Sequence, residues 1–362
     1  MQRKASRRGE TLFDSVRAQL VDLSRGFGLE GQRAQVLEAY DLICRESMDF
    51  PMGMRPPDFS RINADGTPFQ YSLSLGAGKP SFHFLSEAGI PGSSIADRIM
   101  LSLERIEALT SMFHADEELA SVRGLIDRIA PADDPALLAD PAGALWIGVA
   151  FGPEATPKLT VYVNAKWGEE TAAWNRLDSF VSSFPEARSW TETRRLLAAK
   201  MRPLGMAVTL GEGSPPNGRA YLSAHGNPLS YYRELALSAT DERFCEVFDN
   251  FVRTLLGENR FYPLRSVVCS YGVGTDSHAD FKFELCGHCS LASDELAEAK
   301  CLEWISSISV DSSLYSLLLR TLANGPLSRK SVDLHSYMGL GLRRGEVSST
   351  IYLKPRWSGA VA

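Results

Sequence analysis

Lysine, arginine and tyrosine recur at every second position in several apolar stretches of this 362-residue chain. Lys158, Thr160, Tyr162 and Asn164 alternate with Leu159, Val161 and Val163, and Arg219, Tyr221 and Ser223 alternate with Ala220, Leu222 and Ala224. Asp280, Lys282 and Glu284 interleave with Phe281, Phe283 and Leu285; Thr350, Tyr352 and Lys354 do the same with Ile351 and Leu353. A period of two belongs to a β-strand with one apolar and one polar face. His83 between Phe82 and Phe84, the set Gln70, Ser72 and Ser74, and the pair His335 and Tyr337 extend the polar face. Ammonium and guanidinium groups make charge-assisted hydrogen bonds to phosphate oxygens, and phenols add neutral donors. Tyrosine rings also offer negative faces to a nearby cation. Gathered in an enclosed space, these groups suit the ionisation of an allylic diphosphate with its carbocation shielded from water. On an open sheet the same face would simply meet solvent. An enclosed lumen must be wet or hold an anion, because unpartnered buried cations are costly.

The elements that carry these faces repeat in the order helix, helix, strand, strand. Helical patterns near 11–25 and 31–48 precede strands at 69–75 and 81–86. Helices near 94–113 and 116–130 precede strands at 145–151 and 158–164, and helices near 169–184 and 189–201 precede strands at 206–211 and 219–225. The fourth copy has helices near 228–237 and 240–257 with strands at 265–273 and 280–286. The fifth has helices near 293–308 and 311–323 with strands at 331–339 and 349–355. Short links such as GAGK, GPEATP, GEGSPPNG and GTDSH read as hairpin turns. Ten antiparallel strands of this kind can close on themselves, removing both edges, inside a belt of helices.

Composition fits that picture. The chain is 44% hydrophobic and 23% charged, which excludes disordered and fibrous classes. A net charge of -6 gives no basic footprint for nucleic acid. No apolar run approaches the ~18 residues of a membrane span, and residues 1–11 are charged without a following signal-peptide core. The six cysteines are scattered through predicted helices and strands, as reduced thiols in a cytoplasmic protein would be.

The fivefold repeat, the segment DGTPFQYSLSLGAG, the strands KLTVYVN and RAYLSAH and the closing SYMGLG...SSTIYLKP resemble the aromatic prenyltransferases of the ABBA type, and among them the bacterial indole prenyltransferases of the dimethylallyltryptophan synthase kind. The resemblance spans nearly all of the chain after about residue 30. It implies an α+β fold, a ten-stranded antiparallel β-barrel surrounded by helices in five ααββ repeats, with residues 1–362 forming a single domain and 1–10 flexible. It implies an isoprenyl diphosphate donor, most simply dimethylallyl diphosphate, and an aromatic small-molecule acceptor such as an indole, with no nucleic-acid or membrane partner. No cofactor is obligatory on this reading, and Mg2+ is at most a stimulant. The diphosphate would be held by Lys158, Tyr162, Arg219, Tyr221, Lys282, Tyr337 and Tyr352.

Three positions depart from the family pattern. Gln70 stands where the indole enzymes place a Glu that holds the acceptor N–H and takes its proton; an amide accepts a hydrogen bond but is no useful base at neutral pH. Gln70 and His83 are therefore the catalytic candidates, with His335, Asp280 and Glu284 as other proton acceptors. His83 replaces the family's Arg on the second strand, and Thr160 its Lys on the fourth, with Lys158 two residues earlier on the same face. A noncatalytic barrel that binds a hydrophobic or anionic small molecule is the alternative, and another transferase or hydrolase of phosphorylated substrates is a third reading.

Other motifs read as ordinary. Cys286, His288 and Cys289 form CGHC without a second CxxC, so a hairpin exit with free thiols is favoured over a metal site. Asp133 and Asp134 in PADDP read as a solvated loop, and GLGLRRG (339–345) as a hairpin tip between the last two strands. His114 is expected at a helix end and His225 and His278 near barrel rims; no GxSxG supports a serine hydrolase. Trp146 is favoured as a core residue over an acceptor-stacking ring, and Trp167, Trp174, Trp190 and Trp304 are expected to pack within helices.

Overall fold

The computed structural model describes residues 9–357 except 56–59, 77–78, 141–142, 154, 185–189, 258–263, 274–279, 324 and 344, with backbone only at 192, 214–215, 224–225, 264–265 and 343. The side chain of His225, and His278 with the GTDSH link, thus lie outside the described residues. Ten strands follow one another around a closed antiparallel barrel: β1 (Phe69–Gly76), β2 (Ser81–Ser86), β3 (Leu145–Gly152), β4 (Ala155–Asn164), β5 (Met201–Gly211), β6 (Ser214–His225), β7 (Leu264–Val273), β8 (Phe281–Cys286), β9 (His335–Arg343) and β10 (Glu346–Leu353). Each strand pairs with its neighbours in sequence, and β10 returns to β1 in the register Ser72 opposite Tyr352 and Ser74 opposite Thr350. Closure leaves no strand edge open.

The helices come in pairs before each hairpin: α1 (Leu12–Gly26) and α2 (Arg33–Cys44); α3 (Ile95–Met112) and α4 (Leu119–Ile129); then the single turn α5 (Pro135–Leu138). They continue as α6 (Glu170–Val181), α7 (Trp190–Ala198), α8 (Leu229–Ala239) and α9 (Glu242–Leu256). After the single turn α10 (Gly287–Ser290) come α11 (Asp294–Ser307) and α12 (Ser313–Ala323). Local chemistry starts them where expected: Thr11 with Asp14, and Ser94 with Asp97, form reciprocal capping boxes. Among the described residues no helix is long and apolar enough to cross a membrane.

The core is the annulus between barrel and helices. Phe69, Tyr71, Phe82, Phe84, Phe151, Phe281 and Phe283 point outward from the strands and are buried against helix residues such as Tyr40, Phe248 and Phe251. Polar pins cross the same layer: the Tyr71 hydroxyl donates to Gln19 at 2.9 Å, and the Trp304 indole donates to Ser349 at 3.0 Å. The apolar phase of each strand thus faces the helices, which leaves the polar phase for the lumen.

Three expectations change. Strand β9 covers 335–343, not 331–339, so Gly339 and Gly341 of GLGLRRG lie within the strand and not at its tip. Trp167 precedes α6 in a loop, where the Arg176 guanidinium lies 3.5 Å from its ring centroid; Trp174, Trp190 and Trp304 are helical. Asp134 caps α5 through the N–H groups of Ala136 and Leu137, so PADDP is a helix start. Residues 1–8 are outside the described set; next to them the Glu10 carbonyl accepts the N–H of Met52 and Thr11 bridges Pro51.

Candidate active site in the barrel lumen

Alternation carries the polar side chains of β4, β6, β8 and β10 into the lumen, where they divide it into two connected chambers. One holds about 210 Å³ and is lined by His83, Lys158, Thr160, Arg219, Asp280 and Lys282. The other holds about 650 Å³ and opens at the barrel end where β4, β6, β8 and β10 finish; Trp146, Val268, Glu284 and Tyr337 line it. Gln70, Leu85, Tyr162, Tyr221 and Tyr352 line both, forming a waist. The Tyr162 and Tyr221 rings lie 5.9 Å apart, and Tyr337 meets Tyr352 edge-on at 6.2 Å.

The cations of the smaller chamber have partners. Arg219 donates to Asp280 and, at 3.0 Å, to the Ser270 hydroxyl. It reaches Asp280 across Gly272, its opposite number on β7; a Cβ on Gly272 would fall 2.7 Å from that of Asp280, so only glycine leaves the space. Lys282 pairs with Glu284 at 2.8 Å and donates to the Tyr352 hydroxyl, which in turn donates to Glu284. Its ammonium also lies 4.7 Å from the Tyr352 ring centroid. Burial lowers the Lys282 pKa despite Glu284; burial also opposes Arg219, but Asp280, Tyr221 and Glu284 together outweigh it and raise that pKa. Burial also raises the phenols of Tyr162, to about 12, and of Tyr221 and Tyr352, keeping them neutral donors. The cost of enclosing Lys and Arg is thus met by carboxylates of the same barrel. Among the described residues, Lys158, Arg219 and Lys282 line the smaller chamber together with one carboxylate, Asp280, while Glu284 reaches Lys282 from the larger one.

The larger chamber has an aromatic wall with a buried support. Trp146 sits opposite Tyr162 and shares its face, so it is a lumen residue and not part of the outer core. Its indole N–H donates at 3.1 Å to Glu87, which also accepts from Arg98 at 2.7 Å. Glu87 is 1% exposed; burial, opposed by Arg98, Ser60 and Trp146, pushes its pKa up to about 7. Gln70 is fixed by the loop before β1: its Nε2 donates to the Asn63 side-chain carbonyl.

Most of the candidates named from sequence converge here. Lys158, Arg219 and Lys282 line the smaller chamber, Tyr337 the larger, and Gln70, Tyr162, Tyr221 and Tyr352 the waist. His83 also lies in the smaller chamber, with its Nε2 2.7 Å from the Ser81 hydroxyl, on the side of the cations and away from Trp146. His335 does not join them. An irregularity between Tyr352 and Leu353 puts Tyr337 opposite Tyr352 but His335 opposite Leu353, turning the imidazole to the helix side. There it is sealed between Asp294 at 2.9 Å and the Tyr315 hydroxyl at 2.8 Å. Burial would raise the Asp294 carboxyl, yet the imidazole and the N–H groups of Asp333 and Leu334 hold it below the usual range. Asn63 and Glu87 went unseen in the sequence, because neither sits in a strand whose alternation could mark it.

No protein-family model matches the chain, and no curated protein matches it by sequence. Solved structures do match. Over 98% of both chains it superposes on 5-dimethylallyl tryptophan synthase from Streptomyces coelicolor in complex with DMASPP and Trp, with a TM-score of 0.81 and 20% identity. The chain has the ABBA fold. It is likewise similar to 6-dimethylallyltryptophan synthase from Micromonospora olivasterospora in complex with DMASPP and Trp (TM-score 0.81, 19% identity, 97% of this chain and 99% of that one). AnaPT from Neosartorya fischeri shares the ABBA barrel at 14% identity and a TM-score of 0.74, over 94% of this chain and 92% of its own.

Proposed function

We propose that this protein, acting through its whole length of 1–362 as one barrel in the cytoplasm, transfers a dimethylallyl group from its diphosphate to an electron-rich aromatic small molecule, with an indole as the first acceptor to try. The observation that carries the reading is the two-chamber lumen: a cationic pocket and an aromatic pocket joined at a waist of three tyrosines. The complexes of the two bacterial neighbours with DMASPP and Trp support the choice of donor and acceptor class.

The diphosphate enters the smaller chamber, where Lys158, Arg219 and Lys282 stabilise the charge that develops as the carbon–oxygen bond breaks. Asp280 gives up part of its hold on Arg219 to the new anion. The allyl cation then lies at the waist against the faces of Tyr162, Tyr221 and Tyr352, which stabilise it and exclude water. The acceptor ring stacks toward Trp146, and Gln70 accepts a hydrogen bond from its N–H. Attack on the cation yields a cationic ring that needs only a weak base to lose its proton. Glu284, which lines the acceptor chamber, fills that role better than His83 or Asp280 on the donor side or His335 behind the wall.

Incubation with dimethylallyl diphosphate and a panel of indoles and phenols, followed by mass spectrometry, tests the proposal. A product 68 mass units heavier than the acceptor, formed in EDTA as well as in Mg2+, is expected from the replacement of one hydrogen by C5H9. Release of diphosphate with no prenylated product across donors and acceptors would favour a hydrolase, and binding without turnover a carrier.

A further inference from the structure

Beyond the lumen machinery, the tetrapeptide Cys286–Gly287–His288–Cys289 ends β8 and forms α10. Gly287 lies so near β9 that a Cβ would fall 2.6 Å from the His335 carbonyl oxygen, so the chain turns tightly only with glycine there. The Leu291 N–H closes the turn on the Gly287 carbonyl at 2.9 Å. Residues three apart on such a turn are neighbours, which sets Cys289 beside Cys286. His288 folds back over the first thiol, with Cys286 Sγ 3.1 Å from Nδ1 and 3.5 Å from Nε2. The three ligand atoms all lie within 4.8 Å of one another. Tetrahedral zinc, with bonds of about 2.3 Å to sulfur and about 2.0 Å to nitrogen, needs S···N edges of about 3.5 Å and S···S edges of about 3.8 Å. The cluster is therefore within a small side-chain adjustment of a coordination face.

We propose that Cys286, His288 and Cys289 bind a thiophilic divalent ion, Zn2+ in the first instance, with its fourth position open to a cavity. Two thiolates and a neutral imidazole cancel the ion's charge, so the half-buried site carries no net charge. That cavity holds about 650 Å³ and shares Arg61, Ile62 and Tyr337 with the acceptor chamber. Asp65 also lines it, but its carboxylate is engaged by Lys354 and, at 3.0 Å, by the Trp357 indole. Water, or a carboxylate, imidazole or thiol of a small molecule at the chamber mouth, then completes the ion's shell; three protein ligands and an open place are the pattern of a zinc that meets ligands.

Metal binding is read directly and needs no prenyl transfer. The reduced full chain, stripped with chelator, is titrated with Co2+ and then Zn2+. One Co2+ per chain is expected, with a thiolate-to-metal charge-transfer band and tetrahedral d–d bands that Zn2+ abolishes. Cys289→Ser should lose about half of the charge-transfer intensity, that of one of the two thiolates, and weaken binding at least 100-fold. His288→Ala, at an exposed position, should cost no less than the roughly 10-fold seen on loss of a supporting group. Circular dichroism checks that both variants remain folded. Only weak six-coordinate bands in the wild type, or unaltered binding in folded Cys289→Ser, would overturn the site.

Discussion

Gln70 donates to the Asn63 side-chain carbonyl at 3.2 Å, and this bond decides which end of the Gln70 amide is left for the lumen. Asn63 cannot turn over freely, because its own Nδ2 donates to the carbonyls of Thr67 and Phe69, both at 2.8 Å. Its Oδ1 is the acceptor for Gln70 and also for the Ser336 hydroxyl at 2.8 Å. With its Nε2 so engaged, Gln70 offers its carbonyl oxygen to the chamber. Asn63→Ala should lower kcat/KM for an N–H-bearing acceptor about 10-fold, the worth of one oriented hydrogen bond, while leaving donor KM within twofold. Gln70→Ala should cost at least as much, and neither variant should discriminate against acceptors that lack an N–H. Initial rates with matched indole and N-methylindole acceptors check this.

Asp280 holds Arg219, so under the proposed function it would compete with an incoming diphosphate. Asp280→Asn leaves a part-buried guanidinium with only neutral partners, and the ligand-free protein should lose about 1–3 kcal/mol. Diphosphate should restore more of that loss than it adds to the wild type, so its thermal shift should be larger in the variant. Arg219→Ala should have the opposite signature: a smaller shift with diphosphate and a donor KM raised 10- to 100-fold. Differential scanning fluorimetry with and without inorganic diphosphate separates the two.

Where strands keep their period, the lumen was legible from residue types alone. Lys158, Tyr162, Arg219, Tyr221, Lys282 and Tyr352 all lie inside because each sits in clean alternation with apolar neighbours. His335 broke the rule because the irregularity opposite Tyr352 and Leu353 changes the phase, and no residue type announces it. Trp146 was ambiguous because LWIGVAF is apolar on both faces; only its register against Tyr162 settles which way it points. The pairing of Arg219 with Asp280 needs the register of three strands, since the two are 61 residues apart and meet over Gly272. Asn63 and Glu87 work from a loop and a strand exit, where the sequence has no period to read.

Glu87 makes stability depend on pH in a direction opposite to most salt-bridged carboxylates. Its folded pKa, about 7, exceeds the ordinary value of 4.5, chiefly through burial. The folded state therefore holds a proton that the unfolded chain gives up as pH rises through 4.5, and stability from this group falls between about pH 4.5 and 7. Glu87→Gln should flatten that stretch of the urea-midpoint profile. Its single amide oxygen can accept from the Trp146 indole or from Arg98, which in the wild type donate to different carboxylate oxygens, so turned toward Trp146 it still supports the aromatic wall. A profile equally steep in wild type and variant would assign the pH dependence to other groups.

Two glycines should separate damage to the site from damage to the fold. At Gly339, a Cβ would lie 2.9 Å from Lys282 Cε and 3.3 Å from Glu284 Cγ, both parts of flexible side chains that can move. At Gly205 it would lie 2.9 Å from the Val163 carbonyl oxygen, which the β4–β5 ladder holds in place. Gly339→Ala should therefore displace the Lys282–Glu284–Tyr352 cluster, raising donor KM several-fold with a nearly unchanged urea midpoint, because Met338 and Leu340 still fill the outer layer. Gly205→Ala should instead cost about 1–3 kcal/mol of stability through overpacking. Equal losses of stability in the two variants would mean that the Lys282 side chain is as rigidly held as the barrel's backbone, and that it could not swing toward an incoming diphosphate.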